Sequence, residues 1–108
     1  MSAMVWPPAA EAALLTDLYE LTMMQAYFRE GRDEPASFEL FVRRLPEERP
    51  YLLAAGLDTA LAYLEGLRFT DEGLDYLASL EQFDDSFLRH LADFRFTGSV
   101  RAIPQGTP

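Results

Sequence analysis

The chain has 108 residues, and its 18 acidic residues outnumber its 9 basic residues, which gives a formal net charge of −9. With 49% hydrophobic and 13% aromatic residues, it is too apolar for a disordered acidic tail and long enough to close one modest core. Nucleic acids and anionic membranes both reward clustered positive charge, so this composition argues against either as the main partner. The sequence has no Lys or Cys, which excludes a P-loop lysine, a Schiff-base lysine and a thiolate nucleophile.

The N-terminal stretch, residues 1–13, contains Trp6-Pro7-Pro8 followed by small residues, a composition typical of an extended, weakly ordered leader. It has neither the basic region nor the continuous apolar stretch of a secretory signal. No apolar run approaches the ~20 residues that span a bilayer. We therefore expect a flexible leader over residues 1–13, an organised portion over residues 14–108, and a cytoplasmic location.

The organised portion is predicted to open with an amphipathic helix. Asp17, followed three residues later by Glu20, forms a capping-box pattern, and Gly31 is a natural stop. The apolar residues that fall on one helical stripe, which we expect to be buried, are Leu14, Leu18, Leu21, Met24 and Phe28.

Three segments have the character of strands. In residues 37–43, Phe38, Leu40 and Val42 alternate with other side chains at the period of a strand. Residues 51–55 form a short apolar run that could be a strand or the lead-in to a helix, and we interpret it as a short strand. Residues 99–103 are the third predicted strand. The sequence thus predicts an α/β (α+β) fold of two or three strands with helices.

Three short helices are predicted between the second and third strands. Asp58, Thr70 and Asp84 are their expected N-caps. The first of them is expected to run through Leu61, Tyr63 and Leu64 and to end at Gly66. The residues expected to face inward on the other two are Leu74, Leu77, Leu80, Phe87, Leu88, Leu91 and Phe94. Because two or three strands make a poor independent sheet, we expect the chain to be the front end of something larger or to need a partner over its strand edges.

Isolated chemical groups give little indication of a site. His90 is the only histidine and lies among apolar neighbours, which favours a structural role over a catalytic one. The acidic pairs Asp71-Glu72 and Asp84-Asp85 stand at predicted helix starts, where capping and the helix dipole account for them. No third ligand is spaced around either pair, so we assign no metal site.

Four blocks of this sequence, taken in order, resemble the sequence of a known protein family. They are Thr16-Asp17-Leu18-Tyr19-Glu20-Leu21-Thr22-Met23, then Ala36-Ser37-Phe38-Glu39-Leu40-Phe41-Val42-Arg43-Arg44-Leu45-Pro46, then Ala54-Ala55-Gly56-Leu57, and last Phe94-Arg95-Phe96-Thr97-Gly98 with Pro104-Gln105-Gly106-Thr107-Pro108. Together they resemble the opening quarter of nicotinate phosphoribosyltransferases. Position 105 departs from that family, which commonly places Glu there, and we assign Gln105 no role.

The resemblance implies a type II phosphoribosyltransferase, built from an N-terminal α/β portion and an irregular α/β barrel that is absent here. The implied reaction joins nicotinate to 5-phosphoribosyl 1-diphosphate, with ATP hydrolysis and Mg²⁺, and gives nicotinate mononucleotide for NAD salvage. It is the reaction of an ATP-dependent carbon–nitrogen ligase. The resemblance also implies a homodimer through the N-terminal portion, and these 108 residues alone are expected to be inactive.

The resemblance makes Asp17 a candidate catalytic residue and Tyr19 a candidate substrate-binding residue. Because a segment with a net charge of −9 is a poor cradle for the anionic 5-phosphoribosyl 1-diphosphate, Arg43 and Arg44 are the only local candidates for phosphate, and Arg43 is preferred. Tyr19 is predicted to lie on a second face of the first helix, away from the apolar stripe, where its ring could stack on a pyridine. Each has a structural alternative: Asp17 as an N-cap, Tyr19 as a packing residue, and Arg43 as a solvated strand end. The alternative for the whole chain is a small acidic module that binds a partner protein and performs no catalysis.

Overall fold

The computed structural model describes residues 9–108, and over that range the chain is helical. A 3-10 helix at Ala9–Leu14 is followed by α1 (Leu18–Arg29), α2 (Leu57–Glu65), α3 (Asp71–Ser79) and α4 (Asp85–Ala92). The 3-10 helix includes the last residues of the leader expected over 1–13, and residues 1–8 of that leader lie outside the described residues.

The predicted sheet is wrong: within residues 9–108 there is no strand, including at 37–43, 51–55 and 99–103. Apolar residues at every second position show that a segment can lie extended with one apolar face. A strand also needs a neighbouring backbone with which to form hydrogen bonds. Within residues 9–108, Ala54 is the only residue of these segments with such a neighbour. At Ala54 the backbone N–H donates to Thr107 O at 2.9 Å and the carbonyl accepts from Gly106 N at 2.8 Å, and this local pairing does not extend into a ladder.

The first helix begins where its capping signals predict. Asp17 is the N-cap of α1, with extended backbone, and the capping box with Glu20 is present. The Glu20 carboxylate accepts from the Asp17 backbone N–H at 3.4 Å and also from the Thr16 hydroxyl. At the other end Gly31 has φ of 68°, a left-handed conformation that glycine adopts without strain and that ends the helix as predicted.

The later helices agree with their capping signals at α3 and α4 but not at α2. Thr70 caps α3 by accepting from Gly73 N at 3.0 Å, and Asp84 is the N-cap of α4. The N-cap of α2 is Gly56, not the predicted Asp58, which lies inside the first turn. Gly56 has φ of 93°, a conformation that a residue with a Cβ adopts only with strain.

The core lies where α1, α3 and α4 meet. Its buried apolar side chains, among the described residues, are Leu21, Leu77, Phe87 and Leu91. Around them pack the partly buried Leu14, Met24, Phe28, Phe69, Leu74, Leu80, Phe83 and Leu88. The predicted apolar stripe of α1 is thus confirmed except at Leu18, which is 41% exposed. This small core is the scaffold that holds both ends of α1 in place.

Two polar contacts fix α1 against the start of α4. Gln25 is 4% exposed, and its amide donates to Gln82 O at 3.0 Å and accepts from Asp84 N at 2.6 Å. One turn further along α1, the Arg29 guanidinium donates to the Asp84 carboxylate at 2.7 Å. The orientation of α1 is therefore set by hydrogen bonds as well as by packing.

Candidate functional site

The outer face of α1, formed by Tyr19, Met23 and Tyr27, is an apolar surface turned away from the core. These side chains are spaced four residues apart and are 60%, 47% and 52% exposed, so they share one face of the helix. Thr22 lies beside them, and its hydroxyl donates to Tyr19 O at 2.8 Å. The prediction that Tyr19 occupies a face distinct from the buried stripe is confirmed.

Asp17 lies two positions before Tyr19, at the N-terminal end of the same helix. Its backbone begins α1, and its side chain is exposed. The structural reading of Asp17 as an N-cap is confirmed, and its exposure also leaves the carboxylate within reach of a bound molecule. The two readings are compatible because a carboxylate has two oxygens, and one can accept from the start of α1 while the other stays open to a ligand.

Arg43 is not brought together with Asp17 or Tyr19 by any described contact. It lies exposed in the segment between α1 and α2, which has no regular secondary structure. Among the described residues, the ion pairs join Arg29 to Asp84 and Arg32 to Glu30 and Glu34, and none involves Arg43. Its guanidinium is therefore open to solvent and to an anion.

Gln105 has a contact role that the sequence reasoning missed. Its side-chain oxygen accepts from the backbone N–H groups of Gly56 and Leu57, both at 2.9 Å, at the start of α2. Its amide nitrogen donates to the Asp58 carboxylate at 3.3 Å. Two of the sequence blocks, at 54–57 and 104–108, thus meet through one side chain, and no local pattern in the sequence indicates that contact.

Within residues 9–108, no group of three or more His, Asp or Glu side chains is close enough to hold a metal ion. In the same range, no helix is both long enough and apolar enough to cross a membrane.

Comparison with known proteins identifies the family. The model of the nicotinate phosphoribosyltransferase (NAPRTase) N-terminal domain matches residues 14–108. This chain is a member of that N-terminal domain family. No solved structure matches it.

Individual relatives agree with this assignment. The nicotinate phosphoribosyltransferase pncB2 of Mycobacterium tuberculosis (strain H37Rv) is 54% identical over 95 residues, covering 88% of this chain and 20% of the relative. The Bacillus subtilis enzyme is 44% identical over 77 residues, covering 70% and 16%, and the human enzyme is 41% identical over 103 residues, covering 92% and 19%. The chain thus spans about a fifth of the length of these relatives.

Proposed function

We propose that this chain is the N-terminal part of an enzyme that joins nicotinate to 5-phosphoribosyl 1-diphosphate, with ATP hydrolysis, in NAD salvage. The observation that carries the proposal is the family match over residues 14–108, supported by relatives named nicotinate phosphoribosyltransferase. The new bond joins the pyridine nitrogen to the ribosyl carbon, and diphosphate leaves. The proposal includes a cytoplasmic location.

Tyr19 is the proposed contact for the pyridine ring. It is 60% exposed on the outer face of α1, so its ring can be reached by a ligand without disturbing the core. An aromatic ring that stacks on a flat pyridine gains roughly 0.5–1.5 kcal/mol beyond the burial of its surface. The phenol hydroxyl would remain available for a polar neighbour.

Asp17 is proposed to stabilise the positive charge that develops on the ribosyl carbon during the reaction. In a dissociative displacement the ribosyl carbon becomes electron-poor, and a carboxylate nearby lowers the energy of that state. Asp17 is exposed at the same end of α1 as Tyr19, which supports a joint role for the two residues. The rigid backbone at the N-cap would hold the carboxylate in a fixed place.

Arg43 is the proposed local contact for phosphate. 5-Phosphoribosyl 1-diphosphate is highly anionic, and a segment with a net charge of −9 is a poor cradle for it. We therefore place most of its ligands, together with ATP and Mg²⁺, in the part of the enzyme beyond these residues. Arg43, which has no carboxylate partner among the described residues, could supply a bidentate contact from this side.

A homodimer is the proposed assembly. The outer face of α1 has Thr22 and Ala26 beside its aromatic residues, and small side chains allow a second surface to approach closely. In a dimer built through this face, Asp17 and Tyr19 of one subunit would contribute to the partner's site.

The test uses a full-length chimera in which this chain replaces the matched fifth of the Mycobacterium tuberculosis relative. We expect Tyr19→Ala to raise KM for nicotinate or lower kcat with an unchanged melting temperature, and Tyr19→Phe to retain most activity. The matched control is Leu21→Ala, a core substitution that should cost roughly 2–5 kcal/mol of stability with little selective effect on nicotinate.

Three outcomes would contradict the proposal. The first is a chimera that is folded but forms no nicotinate mononucleotide. The second is a Tyr19→Ala variant that melts as early as Leu21→Ala and keeps its kinetic constants, which would make Tyr19 a packing residue. The third is product formation by the 108 residues alone, which are expected to be inert. A folded, inactive chimera would instead favour the acidic interaction module.

A further inference from the structure

A single buried amide joins the inner side of α1 to the turn between α3 and α4. Among the described residues, Gln25 is the only polar side chain buried with the apolar core. Its Nε2 donates to Gln82 O at 3.0 Å, and its Oε1 accepts from Asp84 N at 2.6 Å. In the same part of the chain, the side-chain hydrogen bonds that join α1 to a distant element all end at Gln82 or Asp84.

The amide supplies a constraint that the apolar side chains of α1 do not supply. Burial of apolar surface is non-directional, so a side chain such as Leu21 holds α1 against the core without fixing its rotation about its own axis. A primary amide has a donor and an acceptor with defined directions. Because Gln25 uses both on backbone groups two positions apart, it fixes the rotation of α1 and its position along the axis.

The turn that receives the amide is itself held in place. Glu81 follows the end of α3 with φ of 56°, a conformation that a residue with a Cβ adopts at a cost and keeps only where the surroundings impose it. Two positions later, the Phe83 ring packs against the Phe87 ring at a centroid distance of 5.9 Å. The carbonyl and N–H that Gln25 binds are therefore presented from a fixed backbone.

The amide and the candidate site lie on different sides of one helix. At 3.6 residues per turn, Gln25 is about 200° around α1 from Met23, and Tyr19 is about 9 Å away along the axis. The outer surface of a helix lies 5–6 Å from its axis, so a rotation of about 10° moves that surface by about 1 Å. A misplacement of about 1 Å at reacting groups can cost about a hundredfold in rate.

We propose that Gln25 is a positioning residue: its two hydrogen bonds fix the rotation of α1 and thereby the places of the Tyr19 ring and the Asp17 carboxylate. This inference rests on the proposed function, because it takes those two groups to contact substrate. The neighbouring ion pair of Arg29 with Asp84 does not replace the amide, since both of its side chains are about half exposed and solvent weakens such a pair.

The first experiment measures the position of α1 in the absence of substrate. The 108-residue chain has no cysteine, so Met23→Cys on α1 and Ser86→Cys on α4 provide its only two sites for spin labels. Pulsed electron paramagnetic resonance should give one narrow distance distribution for this labelled chain. Gln25→Met should shift or broaden the distribution, because methionine fills a similar volume but replaces neither hydrogen bond.

Two matched controls separate position from stability. Leu77→Ala removes core packing, and Asp84→Asn removes the ion pair with Arg29 while keeping the backbone N–H that donates to the amide. Both variants should be less stable than the unsubstituted chain and should keep the narrow distribution. Gln25→Ala is the second test variant: it lacks the amide, favours the helix and should also shift or broaden the distribution.

The second experiment asks whether Gln25 acts through Tyr19 in the full-length chimera. Gln25→Met should raise KM for nicotinate roughly tenfold and leave KM for 5-phosphoribosyl 1-diphosphate unchanged, since most ligands of that substrate are placed elsewhere. In a chimera that already has Tyr19→Ala, Gln25→Met should raise KM for nicotinate less than about twofold further. No described contact joins these two side chains, so a purely structural role would not couple them. Leu77→Ala should leave both KM values unchanged.

Every other outcome also decides the matter. The inference is overturned by an unchanged distance distribution in both Gln25 variants, by equal broadening with Leu77→Ala, or by Gln25 variants that do not fold when Leu77→Ala does. A KM effect of the same size with and without Tyr19→Ala overturns it as well. An inactive chimera contradicts the proposed function, and the distances then decide whether Gln25 positions α1. An active chimera whose KM for nicotinate is insensitive to Gln25→Met overturns the inference and leaves the proposed function standing.

Discussion

Gln25 is a polar residue at a buried position of the helix that carries the candidate site. It lies four residues after Leu21 on the stripe that faces the core, and it joins α1 to the start of α4 through Gln82 O and Asp84 N. Buried amides are retained at such positions when every polar atom finds a partner. A polar residue within an apolar stripe was the sequence signal for this role, although it does not identify the partners.

Gln25→Ala should destabilise the chain by about 1–3 kcal/mol, because it leaves the Asp84 N–H and the Gln82 carbonyl without their partner. Urea unfolding followed by circular dichroism measures this loss. Gln82→Ala is the matched control: only the backbone carbonyl of Gln82 takes part in the contact, so its side chain can be removed with little effect. Equal stability of Gln25→Ala and the unsubstituted chain would show that the hydrogen bonds contribute nothing net.

The pair formed by Arg29 and Asp84 predicts a dependence on pH. The hydrogen bond from Arg29 lowers the pKa of the Asp84 carboxyl from its ordinary value of 3.8. A pKa that is lower in the folded state gives a contribution to stability that is present above the unfolded pKa and lost as the pH falls through the folded value. Since both side chains are about half exposed, solvent keeps the contribution small.

Asp84→Asn should therefore be less stable than the unsubstituted chain near neutral pH, and the difference should shrink as the pH falls below about 4. Asparagine is itself a good N-cap, so the start of α4 is kept. Unfolding free energies measured from neutral pH down to strongly acidic solution provide the check. A difference that stayed constant over the whole range would show that the carboxylate charge is not involved.

At the scale of elements, the helices could be predicted and the sheet could not. The capping signals at Asp17, Thr70 and Asp84 each mark a true helix start, because capping depends on neighbours three residues away. The alternation at Phe38, Leu40 and Val42 could not fix a strand, because strand formation depends on a distant backbone that no local pattern specifies. Leu18 was wrongly predicted to be buried for a related reason. Helical spacing shows which residues share a face, but how many of them are buried depends on the elements that pack against that face.

In the candidate site, the positions of the residues could be predicted from the sequence, but their roles and distant contacts could not. The outward position of Tyr19 follows from helical geometry and was predicted, as was Asp17 at the helix start. The roles of both residues in binding and catalysis, and that of Arg43, stay predictions, since they depend on a substrate and on polypeptide outside this chain. The contact of Gln105 with α2 could not be foreseen, because it spans 49 and 48 positions of sequence.

Gln105→Ala should destabilise α2 by about 0.5–2 kcal/mol, since it removes the acceptor for two N–H groups at the helix start. Gln105→Glu would keep that acceptor and add a charge favoured by the helix dipole, but it would bring two carboxylates together at Asp58. We expect Gln105→Glu to gain stability only when combined with Asp58→Asn. A double-mutant cycle measured by urea unfolding gives the coupling, and strictly additive effects would contradict the contact.

At the scale of the whole molecule, the exposed surface predicts how the chain responds to denaturant. An unfolded chain of this mass exposes about 17,800 Å², so the observed 9547 Å² leaves about 8,300 Å² buried on folding. A compact domain of the same mass would bury about 11,700 Å². The slope of unfolding free energy against urea is proportional to the area exposed on unfolding. We therefore expect a slope about 70% of that of a compact 108-residue domain.

The control for this last prediction is the chimera with the Mycobacterium tuberculosis relative. If the surplus surface is covered there, amides of residues 38–42 should become protected in step with those of the core formed by α1, α3 and α4 as the protein refolds, because one cooperative unit then contains both. In the 108-residue chain alone, only the core amides should be protected. A slope equal to that of a compact domain would mean that the chain in solution closes over its own apolar segments, and the reduced burial described here would then be wrong.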